Sequence, residues 1–407
     1  MVFNDYNNDS VKRLAQKFDV VVIGGGPAGS AAARTLASLG RSVCVIDKSK
    51  FPRQKLCGGL VTTRAKTNFE TVFERDWRSD LFVSSDSVWF FQGEKKLHDK
   101  PTPDRGPPLF FTMRFDFDSY LLGLAKEAGA VVFENLTVKG IDTRSKKVVA
   151  HNGNEIGYDF LIGCDGVNSI VAKTLFGTSF DQKTIGFGLE VEVPRDHLPN
   201  HNDIPEVDFG SANWGYGWTF PKAKSFTLGV GGVHRLNPNL KQRLSEYLSL
   251  SRNELDIADY KVRGHFIPFG DYREKPGNEC VLLCGDAAGY VDPITGEGIG
   301  HAILSGYCAA RAIEEALDEK HFDALPRYLE LVKPITKSLH QANLFRWMIF
   351  PKPIQAPFAW AFTDAGTLRS GYLEILAGHH EYDHLYGLFL VQVRKAVKKL
   401  GRKLIGR

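Results

Sequence analysis
The chain has 407 residues, 43% apolar and 24% charged, which suits an ordinary globular protein of two or three domains with a large core. No apolar run approaches the ~18 residues that span a bilayer, and the polar first 17 residues lack the apolar stretch of a signal peptide. The formal charge is +4, but the last 14 residues hold seven Lys or Arg and no acid, so the remainder carries −3 and is no polyanion binder. A cytoplasmic protein without nucleic-acid partners is expected.

Phe18 to Ile23 is a short Val- and Ile-rich run that ends in three glycines, the pattern of a buried parallel strand. Pro27 to Leu39 reads as a small-residue helix closed by Gly40, and Ser42 to Asp47 as a second strand, completing a βαβ unit. Residues 87–98 read as a hairpin turning at Gly93, and Asp116 to Ala128 as an amphipathic helix. Strands follow at 130–134 and 136–142, and 147–164 reads as a hairpin leading into a buried strand. Residues 185–233 alternate in short aromatic and apolar runs, as in an antiparallel sheet; 238–250 is helical. Glu279 to Cys284 is another buried strand, followed by a long helix to about Leu317 and mostly helical sequence after Ala324.

The gaps between the dinucleotide-type strands predict an α/β fold with a discontinuous Rossmann-type domain at 18–80, 101–184 and 262–320. An inserted β-rich substrate domain covers 81–100 and 185–261, and 321–407 is a helical C-terminal region. The six cysteines form no CxxC pair or zinc spacing, so no metal is expected and free thiols are the default.

The chemistry begins at Gly24-Gly25-Gly26-Pro27-Ala28-Gly29. In this GxGxxG, Gly24 permits the tight turn, Gly26 lets backbone approach a pyrophosphate, and Gly29 allows close packing. The helix N-terminus then offers N–H groups to phosphates. Asp47, beside Lys48, lies 18 residues after Gly29, where an acid receives ribose hydroxyls. Asp165-Gly166 resembles the DG motif of the aromatic-hydroxylase group of flavoproteins. Gly285-Asp286-Ala287-Ala288 resembles its GD motif, and Arg114 the arginine of its R-x-x-F-D element. Asp165 also suits the cap of the helix after it.

Within that group the chain resembles the geranylgeranyl reductase family over nearly its whole length. Phe51-Pro52-Arg53-Gln54-Lys55-Leu56-Cys57-Gly58-Gly59 is similar to its P-R-x-K-x-C-G-G loop. Tyr216-Gly217-Trp218-Thr219-Phe220-Pro221 is similar to its Y-x-W-x-F-P signature, and Leu376-Ala377-Gly378 to its L-A-G segment. In GDAAGYVDPITGEG, Gly289 stands where hydroxylases place His. The resemblance implies bound FAD, with Arg53, Gly58 and Gly59 at the cofactor, and a reductase of prenyl double bonds. The electron donor implied is NADPH or a small reduced carrier such as ferredoxin.

Under this reading Trp214, Tyr216, Trp218 and Phe220, at period two, form the wall of a dry prenyl slot; a plain sheet–helix core is the alternative. Pro293, Gly296, Gly298 and Ile299 lie against the flavin edge. Glu297 is either catalytic or a first-turn acid that favours the helix dipole. Cys57, by resemblance over the flavin, is the candidate proton donor, since a thiol of pKa about 8.5 is mostly protonated at neutral pH; the alternatives are that it shapes the site, or that only the glycines matter and it is a spectator. Val393, Val397, Leu400 and Leu404 sit opposite the basic residues of the tail. That predicts an amphipathic helix on an anionic membrane surface, or else one packed on the body with a solvated basic face. A monomer is expected. A flavin monooxygenase or halogenase on the same fold is the enzyme alternative, although halogenases carry W-x-W-x-I-P where this chain has Tyr216 and Phe220. A prenyl-chain carrier is the non-enzyme alternative.

Overall fold
The computed structural model describes residues 16–98, 108–355 and 366–388, with 390, 391 and 394. Its first sheet has seven strands. Gln16–Ile23, whose Val20, Val21 and Val22 are wholly buried, pairs in parallel with Val43–Ile46 and with Glu155–Gly163. Val131–Phe133 extends one side in parallel, and Val281–Leu283 pairs in parallel with the end of Glu155–Gly163. Lys147–Ala150 and Val138–Asp142 form the antiparallel margin. Strands this apolar need both faces covered, and helix Pro27–Ser38 supplies one cover, packing in turn on Ile299–Asp318 and Arg114–Glu127. The Rossmann-type α/β expectation therefore holds.

The second sheet also has seven strands, in the order Arg263–Ile267, Gly186–Pro194, Ser225–Val233, Gly215–Pro221, Glu206–Asp208, Trp89–Gln92, Lys95–Lys96. All neighbours are antiparallel except Glu206–Asp208 with Trp89–Gln92. Arg263–Ile267, placed with the nucleotide-binding segments from sequence, is thus an edge strand of this sheet. Its exposed first two residues hid that membership. Alternation gives the sheet two unlike faces. Val191, Val193, Phe226, Leu228 and Val230 pack on helix Leu240–Leu248. The opposite face aligns Glu190, Gly229 and Trp218 in one row, and Gly188, Gly231 and Tyr216 in the next. A Cβ at Gly229 would overlap the Trp218 ring, and one at Gly231 would reach it at 3.3 Å. The glycines thus form the floor on which Trp218 lies.

A three-stranded sheet, Leu60–Val61, Leu109–Phe111 and Val83–Ser85, sits beside the Cys57 loop. Helices Leu325–Leu331, Lys333–Phe345 and Gly366–Ala377 supply the C-terminal region. The predicted basic tail helix, with Val393, Val397, Leu400 and Leu404, lies outside the described residues, as do 1–15, 99–107 and 356–365.

Candidate functional site
Gly24 has φ +102°, and a Cβ there would overlap the Cys164 carbonyl oxygen. A Cβ at Gly29 would overlap the Gly24 carbonyl oxygen. Gly26 differs: its Cβ would touch only Arg53 Nη2, at an ordinary 3.5 Å. Gly24 and Gly29 are therefore required by packing, whereas Gly26 leaves space. Helix Pro27–Ser38 begins there with Pro27 at its first position and no side-chain cap, and Ala28 is buried in its first turn. Its first N–H groups face that space with the positive end of the helix dipole.

Asp47, 7% exposed, accepts from Gly25 N–H at 2.8 Å and from Ser49 N–H at 2.8 Å, locking the glycine loop to the second strand. Lys48 beside it is exposed. Arg53 Nη2 lies 3.1 Å from Asp118 Oδ2, yet its buried Nη1 has no hydrogen-bond partner. A buried guanidinium N–H left open beside an uncapped helix start is costly unless an anion takes it. The residues present therefore fit the pyrophosphate of a dinucleotide.

Arg114 is itself engaged, bidentate to Asp118 at 2.6 and 2.8 Å. Asp165 accepts from Ser169 Oγ at 2.5 Å and from Ile170 N–H at 2.6 Å. Its carboxylate thus caps helix Ile170–Phe176, and burial pushes its pKa up. Gly166, φ +76°, has nothing within 4 Å of a built Cβ. Gly285 turns at φ +56°, and Asp286, partly exposed, has Lys55 Nζ at 3.7 Å.

Gly298 caps the 20-residue helix Ile299–Asp318, and a Cβ on it would come within 3.0 Å of Val291. Pro293 is buried, whereas Gly296 is exposed with φ +71°. Glu297 Oε1 accepts from Gly300 N–H at 2.7 Å, and Oε2 lies 3.6 Å from His301 Nδ1. Glu297 stands one residue before the cap Gly298, outside the first turn, and its Oε1 reaches in to take the Gly300 N–H.

The loop Cys57-Gly58-Gly59 lies against the second sheet. A Cβ on Gly58 would press Phe220 at 2.9 Å and Trp218 Nε1 at 3.3 Å. Two buried charged side chains grip its backbone. Glu190 Oε1 accepts from Cys57 N–H at 3.1 Å, and Lys222 Nζ donates to Gly58 O. The Cys57 sulfur accepts from Gly59 N–H at 3.4 Å and is in electrostatic contact with the Arg114 guanidinium. Burial raises the Glu190 carboxyl to about 7 and lowers the Lys222 ammonium to about 8.

Beyond the loop is an apolar cavity walled by Phe90, Leu109, Phe111, Tyr216, Phe220 and Leu376, among others. Tyr216 Oη donates to Thr295 O, so the wall presents no free hydroxyl there. As it stands the cavity has room for no more than a water or two. The four aromatics set at period two thus divide. Tyr216 and Phe220 line the cavity. Trp218 lies on the glycine floor with a buried, unpartnered Nε1, and Trp214, at φ +52° before the strand, packs on Trp347 and Phe350. Sequence reasoning missed Glu190 and Lys222. The available signals were a carboxylate inside the apolar strand Gly186–Pro194 and a lysine directly after Pro221.

Comparison with known proteins agrees with this geometry. Residues 17–196 match the family described as an FAD binding domain. The chain is 33% identical over 317 residues to an uncharacterized Methanosarcina barkeri protein, covering 76% of this chain and 77% of that one. It is 30% identical over 320 residues to a menaquinone reductase of Mycobacterium tuberculosis (73% and 76% covered). It is 30% identical over 340 residues to the chloroplastic geranylgeranyl diphosphate reductase of Arabidopsis thaliana (77% and 70%). Among solved structures, a geranylgeranyl bacteriochlorophyll reductase-like protein from Thermoplasma acidophilum superposes with TM-score 0.75 at 22% identity, covering 93% of this chain and 99% of that one. A flavin-dependent brominase superposes with TM-score 0.69 at 21% identity, over 95% and 100%. These two likenesses concern fold alone.

Proposed function
Because the chain belongs to the geranylgeranyl reductase family of FAD-dependent oxidoreductases, we propose that it saturates carbon–carbon double bonds of a prenyl chain. Bound FAD, once reduced, supplies the hydride; every other requirement falls on the protein. The carrying observation is the apolar cavity whose walls, Tyr216 and Phe220, run on to the Cys57–Gly59 loop. An isolated alkene accepts hydride poorly, so a proton must reach the neighbouring carbon while water is kept out. Cys57 is the group next to the cavity wall suited to give it.

The cavity is too small for a prenyl chain as it stands. Lining side chains must move aside to admit one. The relatives' names, menaquinone reductase and geranylgeranyl diphosphate reductase, point to prenyl groups with unlike headgroups, which suits a site that grips the chain. The reading further includes NADPH or a ferredoxin-like carrier as electron donor, and a basic tail resting on anionic membrane. Among the described residues no helix is long and apolar enough to cross a membrane.

Dithionite-reduced protein, kept strictly anaerobic with a panel of prenyl lipids, should add two hydrogens per double bond, read by mass spectrometry. An absolute oxygen requirement, with oxygen or halogen in the product, would transfer the protein to the monooxygenase or halogenase reading. Deleting Val393 to Arg407 should release the protein from anionic liposomes with FAD still bound. Equal co-sedimentation of both forms removes the membrane contact.

A further inference from the structure
Lys222 lies just past the strand Gly215–Pro221, 1% exposed, an unusual place for an ammonium. The one hydrogen bond of its Nζ among the described residues is to Gly58 O. A buried cation needs counter-charge, and three groups face it: Cys57 on the loop, and Glu192 and Glu190 on strand Gly186–Pro194. Glu192 is engaged with Ser225 and with Thr227 at 2.9 Å. Glu190 is 8% exposed, with Oε1 on Cys57 N–H and Oε2 without a partner. Lys55 is a more distant charge toward Glu190. From the other sides Cys57 meets Arg114, neutralised by Asp118 on helix Arg114–Glu127, and Tyr216. With Arg114 already paired, Lys222 is the cation beside the thiol whose charge is least compensated.

We propose that Lys222 governs the charge of the Cys57 thiol and returns a proton to its sulfur after each reduction, with Glu190 as the counter-charge that keeps the ammonium loaded. The proton-return step rests on the prenyl-reductase reading. As hydride adds to one alkene carbon, the Cys57 S–H bond breaks and its proton joins the other carbon. The sulfur keeps the electron pair as thiolate. A Lys222 N–H then transfers its proton to the sulfur, and once product has left and solvent enters, the neutral amine takes a proton from water, the hydroxide passing to the solvent. Hydride and proton together make the two added hydrogens. Burial lowers the Lys222 ammonium to about 8, which makes it ready to give up a proton near neutrality without being discharged. Lys222 acts through Cys57 and is a positioning and proton-supplying group rather than one that meets the alkene.

The test uses FAD-loaded protein and iodoacetamide, with alkylation at each cysteine followed by peptide mass spectrometry near neutral pH. Alkylation requires thiolate, which a neighbouring cation favours. Lys222→Met should slow alkylation of Cys57 about tenfold, because the thiolate loses its neighbouring cation. Lys222→Arg should restore the rate to within about twofold, because the charge returns. Half-buried Cys280, whose sulfur faces Phe322 O, is the internal reference and should not change. If the methionine variant fails to fold, Lys222→Gln, uncharged but still an N–H donor, takes its place. Equal Cys57 rates in wild type and an FAD-loaded uncharged variant overturn the proposal, even if prenyl lipids are reduced. A tenfold loss in a protein that reduces no prenyl lipid supports the Lys222–Cys57 coupling and sinks the reading of the reaction instead.

Discussion
The nucleotide end of the first sheet and the glycine-floored face of the second are built on opposite plans. At the nucleotide end the working surface is backbone: an uncapped helix start, three glycines and one carboxylate that ties the turn together. On the second sheet the glycines are there to be covered, and the surface is side chain: Trp218 lying on Gly229 and Gly231, flanked by Tyr216, Phe220, Glu190 and Lys222. A backbone-made site fails when any atom is added. A side-chain-made site fails when a specific group is removed. The two plans therefore predict different failures.

The largest effect should come at Gly29. Replacing it by Val places a side chain on the Gly24 carbonyl oxygen, where neither partner can yield. A cost of roughly 5 kcal/mol or more is expected, and little soluble folded protein. Gly26→Val is the sharper half of the comparison. Its Cβ meets only Arg53, so the variant should fold with near-native circular dichroism yet purify colourless and reject added FAD. A yellow Gly26→Val protein would show that the pyrophosphate lies elsewhere.

On the side-chain plan, Cys57→Ala should leave FAD bound, because the loop is held through Cys57 N–H and Gly58 O rather than through sulfur. Anaerobic re-oxidation of the reduced flavin by a prenyl substrate should slow by about 10²–10⁴, the usual loss of a general acid. Stopped-flow absorbance reads it directly. Unchanged turnover keeps the reductase but removes the thiol from its proton supply.

The same contrast explains what was legible in the sequence. Gly24 to Gly29 and Asp47 could be read because a backbone site is encoded by neighbours: turn, helix start and acid sit within one βαβ unit. The antiparallel sheet at 185–233 was legible from alternation. The row Glu190–Gly229–Trp218 was not, because register across three strands joins residues far apart in the chain. The edge strand Arg263–Ile267 was missed because its exposed first residues lack the apolar alternation that marked its neighbours. Period two placed Tyr216 and Phe220 together on the cavity, but it could not foresee that the positive φ at Trp214 sends that ring to Trp347 and Phe350. Asp165, read through a motif as a cofactor ligand, has its carboxylate on a helix cap, the local role its spacing also allowed.

Glu190 gives the side-chain plan a pH signature. Burial raises its pKa from 4.5 to about 7. A carboxyl raised on folding stabilises fully below its unfolded pKa, and that contribution is lost as pH rises through the folded value. Stability should therefore fall between about pH 4.5 and about 7 as the buried carboxylate ionises, by an amount on the order of 3 kcal/mol. Glu190→Gln keeps an oxygen for Cys57 N–H but does not ionise. Its urea midpoint should be flatter across that window than the wild type's, and it should match or exceed the wild type above the window. Parallel pH curves for the two proteins would mean that Glu190 is matched by its neighbours in both protonation states.

The smallest expected effect joins the two plans through the C-terminal region. Tyr382 Oη donates to Asp292 Oδ2 at 2.8 Å in a buried contact. Asp292 Oδ1 meanwhile accepts from Ile294 and Thr295 N–H at 2.8 and 2.9 Å, shaping the turn that leads to Gly298 and its helix. Tyr382→Phe removes one hydrogen bond to a charged acceptor, worth about 1.5–3 kcal/mol, and leaves the turn's own bonds in place. Stability should drop by that amount while FAD affinity stays within about threefold, because the turn is held by its own N–H groups. If FAD affinity instead falls in step with stability, the turn depends on Tyr382. The start of helix Ile299–Asp318 would then be a side-chain-made site, unlike the glycine turn of the nucleotide end.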